Sequence, residues 1–135
     1  MTSLAVPDVI TVGETMAAMR ATGPIKLAPP MELSIAGAES NVAIGLARLG
    51  HRVGWAGAVG NDEFGALILR TLRAEQVDVT HARTDTEQRP TGLLVREDGI
   101  GDLATVRYYR AGSAGSAIRP PTSSPPCVPD CASCT

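Results

Sequence analysis

Lysine and aromatic residues are scarce in this chain, and it has no long apolar run. Lys26 is the only lysine, and it does not stand in the Gly-Lys-Ser/Thr ending of a phosphate-binding P-loop, so that class of nucleotide-binding site is excluded. A net charge of -2 provides no basic surface for nucleic acid or an anionic membrane. No apolar run reaches the roughly 18 residues of a membrane span, and the first residues do not resemble a secretory signal. We therefore expect a cytoplasmic protein without nucleic-acid or membrane partners.

The composition is that of one folded domain. Hydrophobic residues make up 44% of the 135 residues and aromatic residues only 3%, so alanine, valine, leucine and isoleucine must form the core. Short apolar runs predict strands at residues 8–12, 31–35, 53–59, 77–84, 91–96 and 104–110. Apolar spacing predicts helices near residues 39–49 and 62–75, the first capped by Ser40 or Asn41 and the second by Asp62. Strands that alternate with helices indicate an α/β fold with a parallel sheet.

The last eighteen residues differ from the rest of the sequence. Residues 118–135 hold five of the ten prolines and all three cysteines, and they show no helical or strand period. The spacing of Cys127, Cys131 and Cys134 is that of the iron–sulfur loop of radical SAM enzymes, but in those enzymes a barrel follows the loop. Three thiolates could instead chelate a soft metal such as zinc. We expect an unstructured tail produced by out-of-frame translation, following a domain at residues 1–117.

Common catalytic motifs are absent. Ser113 and Ser116 do not fit the G-x-S-x-G elbow of a serine hydrolase. The glycines between residues 57 and 65 do not fit the dinucleotide-binding pattern G-x-G-x-x-G. The carboxylates Glu14, Glu39 and Asp62 do not form a set of metal ligands on one element. We therefore predict no metal site in the domain.

The segment from Ile35 to Ala43 is the most informative part of the sequence. Small residues at positions 36–38 let a ligand approach the backbone, and the helix that follows offers unpaired amides. The side chain of Asn41 can both donate and accept hydrogen bonds, which suits a ligand with several hydroxyl groups. A simple capping role for these residues is the alternative.

Four segments in this order resemble the ribokinase, or PfkB-type, carbohydrate kinases. Ile35–Ala43 is similar to the family's sugar-binding signature, and Gly57–Gly65 to its G-x-V-G-x-D-x-x-G signature. Val9–Glu14 is similar to the opening strand and its Gly-Glu turn. Tyr108–Ala117 resembles the lid segment of the 2-keto-3-deoxygluconate kinase branch. Two residues depart from the pattern: Ala36 replaces the usual glycine, and Leu94 replaces a tyrosine frequent in that branch.

The resemblance implies a fold, a reaction and a set of site residues. The fold is a ribokinase-like layered α/β sandwich with a small β lid, of which this chain has the N-terminal half. The reaction is ATP-dependent phosphorylation of a sugar or sugar acid. Gly37 and Asn41 are implied to contact sugar hydroxyls, while Tyr108 and Arg110 reach down from the lid. Arg110 could hold a substrate carboxylate through two hydrogen bonds.

The resemblance also shows what this sequence lacks. The family's catalytic base is an aspartate in a late Gly-Ala-Gly-Asp motif, which does not occur here. The intact family uses ATP and Mg²⁺, and we expect neither to bind this chain well. The chain alone is therefore predicted to be inactive. The alternative is a non-catalytic half-domain that binds sugar or forms a homo-oligomer through the lid.

Overall fold

The chain folds into three small groups of strands and two helices. The structure, a computed structural model, describes residues 6–99 and 103–119. Its elements are β1 (Val9–Val12), β2 (Met16–Ala21), β3 (Met31–Ala36), α1 (Ala38–Arg48), β4 (Val53–Ala56), β5 (Ala58–Val59), α2 (Glu63–Ala74), β6 (Arg83–Thr84), β7 (Leu93–Asp98) and β8 (Ala104–Tyr109). Short 3₁₀ turns lie at Ile25–Leu27 and Gly115–Ala117. The tail at 120–135, with its three cysteines, lies outside the described residues.

Strands β1 and β4 form a parallel pair next to the core. Val9 lies opposite Val53, and Val12 lies opposite Ala56. Helix α1 contacts both strands. The core cluster contains Trp55, Ile68 and Leu72, each fully buried, together with Ala43, Val53, Val59 and Val77. The prediction that segments 8–12 and 53–59 share a parallel sheet is confirmed for residues 53–56.

A four-stranded sheet in the order β3-β2-β7-β8 forms the second layer. Strand β2 is antiparallel to β3 and parallel to β7, and β7 is antiparallel to β8. The predicted lid strands correspond to β3, β7 and β8. Strand β2 was not predicted, because its sequence MAAMRA is rich in alanine and has little β propensity. Burial explains this strand: Ala17 and Ala21 are fully buried, and α2 contacts β2.

Two predicted strands are wrong in part. The segment 53–59 is interrupted at Gly57, so that β5 pairs with β6 and not with β1. Within 77–84, only Arg83–Thr84 is a strand, and Asp78 makes an isolated bridge to Gly54. The carboxylate of Asp78 accepts hydrogen bonds from the amide and hydroxyl of Thr80, which turns the chain.

The two helix starts differ in how they are capped. Helix α2 begins after Asp62, whose carboxylate accepts a hydrogen bond from the Gly65 amide at 2.8 Å, as predicted. Helix α1 begins after Gly37 and has no side-chain cap, so the predicted cap at Ser40 or Asn41 is wrong. The helix starts earlier than predicted, and Ser40 donates from its hydroxyl back to the Gly37 carbonyl at 3.1 Å. No helix in the described part of the chain is long and apolar enough to span a bilayer.

Candidate functional site

One end of the four-stranded sheet collects the chain segments that the motifs single out. Ala36 lies opposite Met16, and the amide of Ala17 donates to the carbonyl of Gly92. Leu93 lies opposite Tyr109 on the next strand. The chain therefore leaves this end of the sheet at two points, which we call the two exits: Gly37, after β3, and Arg110, after β8. With strands about 4.8 Å apart, three spacings separate these two exits by roughly 14 Å.

Glu14 lies between these exits, in the turn that precedes β2. Its side chain is only 7% exposed, and its Oε2 lies 2.8 Å from Nε of Arg110. Oε1 accepts a hydrogen bond of 2.5 Å from the Ser113 hydroxyl. The backbone carbonyl oxygen of Glu14 lies close to Gly37, because a Cβ added to Gly37 would stand 2.8 Å from that oxygen. Glu14 thus touches both exits of the sheet.

Arg110 carries the exposed positive charge of this site. Its side chain is 52% exposed, and its Nε lies 2.8 Å from Oε2 of the buried Glu14 carboxylate. This contact is an ion pair, because Oε2 accepts no hydrogen bond from the residues that the structure describes. Neither Nη1 nor Nη2 donates a hydrogen bond to a residue that the structure describes. A guanidinium that is held by an ion pair at Nε and whose Nη groups are unpaired can bind a planar carboxylate through those groups.

Tyr108 lies on the sheet face that leads toward Arg110. It is directly opposite Leu94, which in turn lies beside Ala18 and, through it, Ser34. These four side chains therefore form one row on one face of the sheet. Tyr108 is 59% exposed, so its ring is accessible to a ligand. Leu94 offers that ligand an apolar neighbour.

Gly37 and Asn41 lie at the start of α1. The amide of Asn41 donates to the carbonyl of Gly37 at 2.9 Å, closing the first turn of the helix. Asn41 is exposed. Because Gly37 has no side chain to cap the helix, the first-turn amides are available to an oxygen-rich ligand.

Asp62 has a structural role in a second network. Burial alone would raise the pKa of its carboxyl, but hydrogen bonds from the amide and hydroxyl of Thr91 and from the helix amides outweigh this effect and lower the pKa. The Thr91 hydroxyl also accepts from the Gly60 amide at 2.9 Å. Asp62 thereby ties the start of α2 to the segment before β7.

Sequence reasoning identified Gly37 and Arg110 but missed Glu14 and Ser113 as their neighbours. Ser113 and Glu14 are 99 positions apart in the sequence, and nothing local links them. The only available signal was that both residues lie in segments that resemble the same family. A cavity of about 760 Å³ is lined by Ile10 and Val12 of β1, by His81 and by Ala114, and its lining includes none of the predicted site residues.

Comparison with known proteins identifies the family. A sequence profile described as pfkB family carbohydrate kinase matches residues 6–116. The chain belongs to this family. It is 43% identical to the 2-dehydro-3-deoxygluconokinase of Bacillus subtilis over 113 residues, which cover 82% of this chain and 35% of that protein. It is 51% identical to the fructokinase of Escherichia coli over 66 residues, or 49% of this chain and 22% of that protein.

Solved PfkB structures confirm the fold. A PfkB protein from Polaromonas sp. JS666 superposes with a TM-score of 0.78 at 42% identity, covering 84% of this chain and 38% of that one. A sugar kinase from Pyrococcus horikoshii, solved in complex with ATP, superposes with a TM-score of 0.71 at 28% identity, covering 78% and 35%. The chain thus spans about a third of the length of its full-length 2-dehydro-3-deoxygluconokinase relative.

Proposed function

We propose that this chain is the sugar-binding part of a PfkB kinase whose reaction is ATP-dependent phosphorylation of a sugar acid. The favoured substrate is 2-keto-3-deoxygluconate, also called 2-dehydro-3-deoxygluconate. The observation that carries the proposal is Arg110, a half-exposed guanidinium ion-paired at Nε to buried Glu14. A neutral sugar needs no such group, whereas a sugar acid gains a charge-assisted hydrogen bond from it.

The remaining predicted site residues would contact the other parts of the same ligand. Gly37 lets a ligand approach the uncapped amides of α1, which favour oxygen atoms with partial or full negative charge. Asn41 would exchange hydrogen bonds with hydroxyl groups. Tyr108 would cover the ligand from the sheet. The roughly 14 Å between the two exits leaves room for an extended six-carbon acid with solvent around it.

The chemistry of phosphoryl transfer requires groups that this site does not contain. Such transfer needs a base within reach of the attacking hydroxyl, and donors or metal ions around the moving phosphoryl group. No group of three or more His, Cys, Asp or Glu side chains within residues 6–99 and 103–119 could hold a metal ion. The sequence also lacks the family's Gly-Ala-Gly-Asp motif. Because the motif that carries the family's base is missing from this sequence, we propose a binding role for this part of the domain.

Isothermal titration calorimetry with 2-keto-3-deoxygluconate, gluconate and fructose tests this proposal. We expect the sugar acids to bind more tightly than fructose, and Arg110→Ala to remove that difference. Arg107→Ala is the matched control, because Arg107 lies on the face of β8 opposite to that of Tyr108.

Asn41→Ala should weaken binding by about 1–3 kcal/mol. Asn61→Ala is the control, because Asn61 is an exposed asparagine outside the site. Equal affinity for acids and fructose would contradict the choice of substrate.

The second candidate is a non-catalytic half-domain that associates through the lid. The observation that favours it is the exposure of β8 along its whole length, with Val106 41% and Tyr109 60% exposed. An edge strand with apolar side chains is a surface that pairs readily with another chain. Sedimentation velocity on the unliganded chain distinguishes the two candidates. A stable dimer that Val106→Lys dissociates, without sugar binding, would favour the second.

A further inference from the structure

We propose that Glu14 is a positioning residue, whose buried carboxylate holds the Arg110 guanidinium in an ion pair at Nε and leaves Nη1 and Nη2 to an incoming carboxylate. This inference rests on the proposed binding of a sugar acid and adds a residue to that site. The sequence motifs gave Glu14 no such role.

Burial fixes the Glu14 carboxylate in one place. Its side chain is 7% exposed, and a buried carboxylate is stable only when charge and hydrogen bonds compensate its lost hydration. The Arg110 guanidinium, 2.8 Å away, supplies the charge, and the Ser113 hydroxyl supplies the hydrogen bond. Breaking the Glu14–Arg110 ion pair would cost more free energy than breaking an ion pair at the surface. The guanidinium is therefore held in place although half of the Arg110 side chain is in solvent.

Hydrogen bonds also order the turn at residues 113–116, which contacts the Glu14 carboxylate through Ser113. The Ser113 hydroxyl accepts a hydrogen bond from the Ser116 amide at 3.1 Å, and the Ser116 hydroxyl donates to the Ser113 carbonyl at 2.7 Å. This turn directly follows Arg110. One carboxylate therefore fixes both the guanidinium and the turn behind it.

Two effects of Glu14 on an anionic ligand oppose each other. A free arginine loses much rotamer freedom when a ligand orders it, and an arginine already ordered by Glu14 loses less. The negative charge of Glu14 also repels the ligand's carboxylate, but part of that repulsion is screened because Arg110 stands between them and is half exposed. We expect ordering to dominate, so that removing the Glu14 contact weakens binding about tenfold.

The first test needs no ligand and no mutation of Glu14. In the ¹⁵N-labelled full chain, the Nε–Hε signal of Arg110 is assigned by its loss in Arg110→Lys. We expect its proton to exchange with water at least tenfold more slowly than that of Arg107. Equal exchange rates would overturn the proposal, whatever the chain binds.

The second test separates ordering from charge. Glu14→Gln removes the charge, and Glu14→Asp keeps it but withdraws the carboxylate from Arg110. If Glu14 acts by position, both variants weaken binding of 2-keto-3-deoxygluconate about tenfold in calorimetry and change fructose binding less than twofold. Glu63→Gln, which removes the charge of an exposed glutamate outside the site, is the control. Tighter or unchanged binding by Glu14→Gln would overturn the positioning role. Absence of sugar-acid binding by the wild-type chain would instead overturn the proposed function, and the exchange measurement would still report on Arg110.

Discussion

At the scale of single residues, Gly115 lets the chain pass directly over Glu14. An alanine at this position would place its Cβ 2.3 Å from Glu14 Cγ and 2.8 Å from Cδ. The carboxylate would have to move away from Arg110 and Ser113. We therefore expect Gly115→Ala to lower the free energy of unfolding by about 1–3 kcal/mol, as overpacking at buried sites does. Urea unfolding followed by the fluorescence of buried Trp55 measures this change.

Gly45→Ala is the matched control, because no atom lies within 4 Å of the added Cβ and Gly45 lies in α1. This variant should be as stable as the wild type or more stable by up to about 1 kcal/mol, since alanine favours a helix. Similar stabilities for the two variants would show that Gly115 does not constrain Glu14.

Residue roles could be predicted where a motif names them and not where two distant segments meet. The short runs around Gly37 and Arg110 have recognisable patterns. Glu14 could be recognised only as part of a Gly-Glu turn, because its partners Arg110 and Ser113 are reached through the pairing of β2 with β7 and of β7 with β8. Since β2 itself was not predicted, that connection could not be drawn from the sequence.

At the scale of elements, Asp62 joins helix α2 to the segment that leads into β7. Its Oδ1 accepts from the Gly65 amide at 2.8 Å, and its Oδ2 accepts from the Thr91 amide at 2.8 Å. Loss of a helix cap typically costs about 0.5–2 kcal/mol. We expect Asp62→Ala to reach the upper part of that range because it also removes the Thr91 contacts. Thermal and urea unfolding measure the loss, and Glu63→Ala, exposed at the next position, should change stability little.

The same carboxylate makes stability depend on pH in a defined direction. The pKa of Asp62 is lowered in the folded chain from an ordinary value of 3.8. A depressed pKa contributes stability that is fully present above the unfolded value and is lost as pH falls through the folded value. Stability should therefore decrease from about pH 4 downward. The pKa values of several other aspartates are lowered as well, so the test compares the free energy of unfolding of the wild type with that of Asp62→Asn. The difference between these two free energies should shrink as the pH falls. A difference that stays constant would contradict the assignment of this pH dependence to Asp62.

The elements that could be predicted are those in which propensity and burial agree. Helix α2 has its apolar side chains at helical spacing and a capping aspartate, and the structure places it within one residue of the predicted bounds. Strand β2 is the opposite case, because its alanines favour a helix while the space between β3 and β7 requires an extended chain. The segment 77–84 is rich in strand-forming residues, but the hydrogen bonds of Asp78 to Thr80 turn it away.

At the scale of the whole molecule, the order of motifs predicted the family and the layered fold. It did not predict which apolar surfaces stay uncovered. Ile10 is 45% and Val12 62% exposed on β1, which among the described residues pairs only with β4. An apolar strand looks the same in sequence whether one or both of its faces are buried. The relatives are about three times as long as the matched region, so the pattern of this third alone cannot show what packs there.

The last prediction concerns the activity of the 135-residue chain. Phosphoryl transfer depends on a base beside the attacking hydroxyl and on donors aimed at the moving phosphoryl group. Asp62 is the best-placed candidate base by its motif, but its carboxylate is occupied by the Gly65 amide and by Thr91. Losing one stabilising group of this kind commonly costs two to three orders of magnitude, roughly 3–4 kcal/mol of barrier. We therefore expect no detectable ATP-dependent phosphorylation by this chain.

A coupled assay of ADP release, with Mg²⁺, ATP and a panel of sugars and sugar acids, measures this directly. The Arg110→Ala variant distinguishes true turnover from a contaminating kinase, because only turnover at the site described here would depend on that guanidinium. Sugar-dependent ADP release that Arg110→Ala abolishes would show that the catalytic groups lie within this chain after all. Binding of a sugar acid without turnover is the expected outcome, because the proposed site around Gly37 and Arg110 lacks the family's Gly-Ala-Gly-Asp motif.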